Sequence, residues 1–116
     1  MAGAEKRSFD SPYEVRPPYK AKVDVIKIND ATVARAVFRP GWRWSECIKP
    51  VVGGYSCQNE HFGVITSGRL GISHEDGTEL VTEPGDVYHI MPGHDGWVVG
   101  DEPAVTWEFQ SQSAAT

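Results

Sequence analysis

Short stretches of alternating apolar and polar residues follow one another from residue 23 to residue 109. Alternation with a period of two predicts β-strands that bury one face. The pattern indicates about nine or ten strands, and the clearest span residues 23–28, 32–39, 42–49, 61–66, 69–75, 78–82, 86–91, 96–99 and 104–109. No segment shows a convincing helical period. Many short strands without helices predict an all-β sandwich or barrel.

Turn residues separate these strands at regular intervals. Asp-Gly at residues 76–77 is a strong hairpin signal. The segment PGDVYHIMPGH, residues 84–94, holds one strand between two Pro-Gly turns and ends in a histidine. Residues 50–59 contain a Gly-Gly pair and predict a loop.

The length of 116 residues fits one domain with one core. Residues 1–22 contain three prolines and predict an irregular N-terminal arm. We place the β-barrel at residues 23–109 and a polar tail, QSQSAAT, at residues 110–116.

Charge and composition exclude some partners. The net charge is −5, and residues 23–116 hold thirteen acidic side chains against six basic ones. Nucleic acid is an unsuitable partner because phosphate contacts need a basic surface. The chain has neither an apolar run long enough to span a membrane nor the apolar core of a signal peptide. We therefore expect a cytoplasmic protein with a small-molecule ligand, in which Cys47 and Cys57 are reduced.

Two parts of the chain resemble the conserved blocks of the cupin superfamily. The first comprises Pro40-Gly41 and HFGVITSG at residues 61–68, and the second is PGDVYHIMPG. The resemblance covers residues 23–109. It implies a cupin-type jelly-roll barrel, a homodimer, and one divalent metal ion inside the barrel.

The first cupin block normally supplies two histidines and a glutamate as metal ligands. Counting forward from Gly41 puts Cys47 at the first histidine position, and counting back from Gly68 puts His61 at the glutamate position. A second count, from Gly54, puts Cys57 near a histidine position. The first count is preferred because it keeps Pro40-Gly41 at a strand end.

The second block normally ends in a histidine ligand, and here Gly96 occupies that position while His94 stands two residues earlier. The resemblance therefore predicts the fold more strongly than the metal. The candidate ligands are Cys47, Cys57, His61 and His94. Thiol and imidazole donors suit zinc first and iron second. Asp95 is a candidate to orient a histidine from behind.

Aromatic side chains flank both blocks. Trp42, Trp44, Trp97 and Phe62 are predicted to line a pocket on which an apolar or aromatic molecule stacks. Packing of the barrel or of a dimer interface is an equally good explanation for the tryptophans.

Three hypotheses for function follow. In the first, the protein is a metal-dependent enzyme of the lyase, isomerase or oxygenase class. In the second, it is a metal-free cupin, without a cofactor, that binds a small molecule without turnover. In the third, ranked last, Cys57 is a catalytic nucleophile and His61 is its base.

Overall fold

The computed structural model of the protein describes residues 3–111, in which nine strands and two short helices follow one another. The elements are β1 (Glu14–Arg16), β2 (Ala21–Ile28), β3 (Ala31–Phe38), α1 (Trp44–Cys47), α2 (Lys49–Val52), β4 (His61–Ser67), β5 (Leu70–His74), β6 (Glu79–Thr82), β7 (Val87–Ile90), β8 (His94–Val98) and β9 (Ala104–Ser111). Most of the predicted strands are present, and the all-β jelly-roll class is confirmed.

All strand pairs are antiparallel, and they form two sheets. The larger sheet has the order β1-β2-β3-β9-β4-β7, and the smaller one has the order β6-β5-β8. The last strand therefore lies in the middle of the larger sheet, between β3 and β4. This crossover brings residues near the C-terminus beside the first residues of β4.

The predicted boundaries of the barrel need correction at both ends. Residues 14–16, predicted to be irregular, form β1 and pair with β2, which itself begins at Ala21. At the other end, β9 runs to Ser111 and includes the first residues of the predicted tail. Residues 112–116 lie outside the described residues.

The prediction of a strand at residues 42–49 is wrong. This segment forms α1 and the start of α2, and Pro50 stands in the first turn of α2, where its missing N–H costs nothing. Trp44 and Cys47 are both buried, and Ile48 packs against the same core. These three residues are spaced by three and four positions, which is the period of a helix and not of the strand that we predicted.

The core lies between the two sheets. Ile65 and Ala104 have no exposed surface, and Leu70 and Val98 are at most 9% exposed. Trp42 and Trp44 cover this core from the segment that follows β3.

An ion pair between Arg35 and Asp24 lies on the outer face of the larger sheet. Arg35 on β3 donates to Asp24 on β2 over 2.9 Å, and Asp24 is only 3% exposed. Phe9 from the N-terminal arm packs edge-on against Trp107 with ring centroids 5.3 Å apart. Trp107 therefore lies on the outside of the barrel. Among residues 3–111, no helix has the length and apolar character needed to cross a membrane.

Candidate metal centre

Three side chains of metal-binding type meet inside the barrel, although they come from separate parts of the chain. Cys57 lies in the loop before β4, and His61 and His94 are the first residues of β4 and β8. One donor atom from each residue lies within 4.8 Å of the other two. The structure thus brings together three of the four residues predicted as ligands.

The loop that carries Cys57 is fixed by hydrogen bonds on both sides of the thiol. The Cys57 N–H donates to the carbonyl oxygen of His94, and the Gly93 N–H donates to the carbonyl oxygen of Cys57, each over 2.7 Å. The hydroxyl of Ser56 donates to a carboxylate oxygen of Glu75 over 2.5 Å. Cys57 is only 5% exposed. These contacts fix the backbone on both sides of the thiol.

His61 is engaged through both ring nitrogens. Its Nδ1 lies 2.6 Å from Oε1 of Glu108 on β9, and its Nε2 lies 3.7 Å from Sγ of Cys57. A carboxylate accepts hydrogen bonds, so Nδ1 carries the proton that is shared with Glu108. The Nε2 atom is thereby directed to the thiol.

His94 shows the same arrangement. Its Nδ1 lies 2.9 Å from the carbonyl oxygen of Met91, which can only accept, so Nδ1 donates. The His94 ring meets the His61 ring edge to face, with centroids 5.0 Å apart. Both histidines therefore have Nδ1 bonded to an acceptor, so Nε2 is the nitrogen that could ligate a metal ion, as is common for metal-ligating histidines.

The metal-free site favours a thiolate beside a protonated histidine. Burial of Cys57 opposes its ionisation, but hydrogen bonds with His61 and His94 outweigh burial and lower the thiol pKa to about 6. Burial of His61 likewise opposes its protonation, but the contacts with Cys57 and Glu108 raise its pKa to about 10. A group of opposite charge at each end of the imidazole explains the second shift.

A cavity of about 780 Å³ adjoins the cluster, a volume that suits a small organic molecule. Its walls include Cys57, His61, His94, Tyr88 and Glu108 at the polar side. The apolar walls come from both sheets and from the segment after β3, and they include Phe38, Trp42, Trp44, Ile48, Leu70, Ile72 and Ile90. The site thus combines metal-type donors with an apolar chamber.

Cys47 is not part of the cluster. It lies on α1, where it packs into the core with Trp44 at 7% exposure. The preferred count of the first block, which made Cys47 a ligand, is therefore corrected in favour of the count from Gly54, which pointed to Cys57. The two short helices shift this part of the chain out of the strand register that the count assumed.

The four aromatic residues predicted to line the pocket have different positions. Trp42 and Trp44 line the cavity. Phe62 borders it, although the residue is 51% exposed. Trp97 is placed elsewhere, against Gly71 and under the guanidinium of Arg43, which lies 4.7 Å from its ring centroid. Since His94, Gly96 and Val98 are the buried residues of β8, the alternation of the strand turns Trp97 to the other face.

Asp95, predicted to orient a histidine, has another role. Its carboxylate accepts hydrogen bonds from the Ser45 N–H over 3.1 Å and from Arg43 over 3.3 Å, at the start of α1. The carboxylate therefore ties the helical segment to β8 rather than supporting the cluster.

Glu108 and Tyr88 are members of the site that the sequence reasoning missed. The two carboxylate oxygens of Glu108 are shared between His61 and the hydroxyl of Tyr88, which donates over 2.8 Å. A signal for Glu108 existed, because it alternates with the buried Ala104 and Thr106 on β9. A carboxylate on the buried face of a strand needs a partner, and this partner is His61.

No protein-family model matches the chain, and neither does any curated protein sequence. Solved structures do match. A sugar phosphate isomerase of the cupin superfamily from Silicibacter pomeroyi is 19% identical, with a TM-score of 0.63 over 93% of this chain and 76% of that chain. A conserved protein with a double-stranded β-helix domain from Klebsiella pneumoniae is also 19% identical, with a TM-score of 0.62 over 98% of this chain and 89% of that one.

A cupin-like protein from Thermotoga maritima is 19% identical and has a TM-score of 0.55 over 79% of this chain and 68% of that chain. At these identities the likeness concerns the fold, and the chain has the cupin fold. The fold that the two sequence blocks implied is confirmed. The ligand set at its centre has to be judged from the residues of this chain.

Proposed function

We propose that the protein is a small cupin that binds one divalent transition-metal ion through Cys57, His61 and His94. The observation that carries this proposal is the convergence of the three donors within 4.8 Å, with the Nδ1 atom of each histidine already occupied. Three protein ligands leave a coordination position for water or an organic molecule. That position would be reached from the adjoining cavity.

The separation of the Cys57 and His61 donor atoms suits a tetrahedral ion. With zinc bonds of about 2.3 Å to sulfur and about 2.1 Å to nitrogen, tetrahedral geometry separates the two donor atoms by about 3.6 Å. The distance between Cys57 Sγ and His61 Nε2 is 3.7 Å. One thiolate and two imidazoles favour zinc, and iron ranks second. The ion would act as a Lewis acid toward a bound molecule.

The ligand that we propose is a small apolar or aromatic molecule. Trp42, Trp44 and Phe38 offer aromatic surface to this molecule. Among the residues that the structure describes, no lysine lines the cavity. Arg16, which does border it, is already paired with Glu14 over 2.6 Å. Apart from the metal centre and His61, the walls therefore offer little positive charge to a phosphate or a carboxylate.

An enzymatic role is favoured by the open coordination position, and the reaction class stays unassigned. Two structures with the same fold are described as a sugar phosphate isomerase and a DMSP lyase, at 19% and 15% identity. The alternative, a metal-free cupin that binds a molecule without turnover, remains the competing proposal. A cytoplasmic homodimer stays a prediction.

Elemental analysis of purified and zinc-reconstituted protein tests the metal. We expect about one equivalent of zinc in the wild type and well below one equivalent in Cys57→Ala, His61→Ala and His94→Ala. Cys47→Ala and His89→Ala are the matched controls, because they remove a cysteine and a histidine outside the cluster. Circular dichroism establishes that each variant is folded. A wild type that stays far below one equivalent, or binding that survives His61→Ala, would sink the proposal and favour the metal-free alternative.

A second candidate activity is favoured by the contact between Cys57 and His61. The order thiol, imidazole, carboxylate, formed by Cys57, His61 and Glu108, is that of a cysteine nucleophile with an oriented base. With 4-nitrophenyl acetate as a probe, the thiolate would attack the ester carbonyl, form a thioester and release 4-nitrophenolate. A stoichiometric burst from metal-free protein, abolished by Cys57→Ala and by added zinc, would support it. Absence of a burst would exclude it for this ester.

A further inference from the structure

The inward side of β4 has a gap beside the candidate metal centre. Its inward-facing positions are His61, Gly63 and Ile65, and the middle one has no side chain. A Cβ atom at Gly63 would collide with the carbonyl oxygen of Trp107 and would lie 3.0 Å from the hydroxyl oxygen of Tyr88. A glycine inside a strand marks a place where another group approaches closely.

The residues opposite Gly63 on its two neighbouring strands fill this gap. Tyr88 is its partner on β7, and Glu108 is its partner on β9. The three residues therefore form one row across the sheet, with the glycine in the middle. Across that row the Tyr88 hydroxyl donates to Oε2 of Glu108 over 2.8 Å.

The other carboxylate oxygen of Glu108 contacts His61, a member of the candidate metal centre. Oε1 lies 2.6 Å from Nδ1 of His61, which stands one inward position before Gly63 on β4. The carboxylate is thus held at one oxygen and holds the imidazole at the other. Because Nδ1 is fixed in this way, the ring presents Nε2 to Cys57 and to the space between the three donors.

Tyr88 is suited to the donor role in this row. It is 8% exposed, and burial together with the neighbouring Glu108 raises its pKa well above its ordinary value. The hydroxyl therefore keeps its proton at neutral pH and has an acceptor in Glu108. Glu108 is acceptor-only when ionised, so the direction of both hydrogen bonds is determined.

We infer that Glu108 and Tyr88 are positioning residues of the metal centre, and that the missing side chain at Gly63 leaves the space in which they reach His61. The inference rests on the proposed metal-binding function, and it assigns to Glu108 the choice of the His61 tautomer and ring orientation. Glu108 contacts His61 and is not one of the three clustered donors, so its removal should weaken metal binding without removing a ligand.

Zinc affinity, measured by competition with a chromophoric chelator, gives the first test. Loss of a carboxylate behind a ligating histidine costs about 10–100-fold in affinity, so we expect that loss for Glu108→Ala. Glu108→Gln retains an acceptor oxygen and should recover part of the affinity. Tyr88→Phe should cost less than Glu108→Ala because it removes only the support of Glu108.

The matched control is Glu60→Gln, which alters the other described pair of histidine and glutamate, between His89 and Glu60. It should leave zinc affinity unchanged. In the cobalt-loaded protein, Glu108→Ala should also shift the absorption bands of the ion, while the thiolate charge-transfer band of Cys57 persists. Unchanged affinity and spectra in Glu108→Ala would overturn the inference.

A measurement on metal-free protein separates this inference from the proposed function. The hydrogen bond between His61 and Glu108 predicts a low-field ring N–H proton resonance in the wild type, absent from Glu108→Ala and present in Glu60→Gln. If that resonance behaves as expected but zinc does not bind, the metal proposal fails and the positioning of His61 stands. If zinc binds and the resonance is missing from the wild type, the positioning role fails alone.

Discussion

An inner and a more exposed histidine–glutamate pair differ mainly in their surroundings. His61 and Glu108 are 2.6 Å apart with side chains 26% and 29% exposed, whereas His89 and Glu60 are 2.5 Å apart with side chains 52% and 56% exposed. The inner pair also contacts Cys57 and Tyr88. The two distances are thus similar but the strength of the electrostatic interaction differs. Water screens the pair of His89 and Glu60, whereas protein groups surround the pair of His61 and Glu108.

The same contrast applies to neighbouring side chains along one strand. On β4, His61 and Gly63 face inward and Phe62 is half exposed, and on β8, His94 and Gly96 are buried while Trp97 lies on the other side. A substitution on the exposed face of a strand can therefore serve as the control for a substitution on its inward face. Five predictions test this contrast, from the largest expected effect to the smallest.

Gly63→Ala should have the largest effect, because the added methyl group enters the row between Tyr88 and Glu108. Overpacking of this kind costs about 1–3 kcal/mol of the free energy of unfolding. Urea denaturation of the variant measures this cost, and zinc affinity should fall with it. Phe62→Ala on the exposed face of the same strand is the control and should change the free energy of unfolding less. Equal effects of the two substitutions would contradict the distinction between the faces.

The thiol of Cys57 should react with iodoacetamide at unusually low pH in metal-free protein. Its pKa is lowered to about 6, so the rate should be half-maximal near that pH and level above it. An ordinary thiol with a pKa of about 8.5 is only about 3% ionised at pH 7, which gives roughly a 30-fold difference in thiolate. In His61→Ala the midpoint should rise, since that variant loses a hydrogen bond that favours the thiolate. Mass spectrometry of peptides separates this reaction from that of Cys47.

The same two groups set the pH range in which the metal-free site stabilises the fold. The thiolate contribution of Cys57 is complete above the ordinary thiol pKa and is lost as the pH falls through about 6. The imidazolium contribution of His61 is complete below the ordinary histidine pKa and is lost as the pH rises through about 10. Because the two contributions change in opposite directions between pH 6.5 and 9.0, the free energy of unfolding should be nearly level there and should decline as the pH falls toward 6 or rises toward 10. A double variant of the two residues should show a weaker dependence.

Trp42 lines the cavity and Trp97 does not, so the two residues should differ in their effect on ligand binding. Binding of the neutral fluorescent probe N-phenyl-1-naphthylamine should weaken several-fold in Trp42→Phe, because Trp42 lines the cavity. Trp97→Phe should leave the affinity within about twofold, since its ring packs against Gly71 on the other face of β8. Fluorescence titration gives both affinities. A larger loss in Trp97→Phe would support the sequence-based prediction that Trp97 contacts the ligand.

Glu60→Gln should have the smallest effect. Its partner His89 lies on the exposed side of β7, and exposed ion pairs contribute less than about 1 kcal/mol. Thermal and urea denaturation should therefore detect little change. A loss of stability comparable with that of Gly63→Ala would show that exposure does not separate the two pairs.

The sequence predicted much of the fold because the signals that define it are local. The Pro-Gly turns around residues 86–91 and the Asp-Gly hairpin gave strand ends close to those observed. The segment at residues 42–49 misled the prediction, since alternation over eight residues also fits two short helical turns. Local pattern cannot separate the two where each element is only four residues long.

The candidate site was partly predictable. His61, His94 and Cys57 were selected by residue type and by their place in the cupin blocks, while Cys47 was selected by a count that the helices invalidate. Glu108 was missed because its partner stands 47 positions earlier in the chain. Only the insertion of β9 between β3 and β4 reveals that they are neighbours.

By itself the sequence determined which residues alternate, where the chain turns and which side chains offer donors to a metal ion, because these properties belong to single residues and short spacings. The tertiary structure decided which donors meet. Pairing of β4 with β7 and β9 put Tyr88, Gly63 and Glu108 in one row, and the bridge between Cys57 and His94 brought the thiol to the histidines. Such contacts depend on strand order and register, which are set by packing of the whole barrel rather than by any short segment.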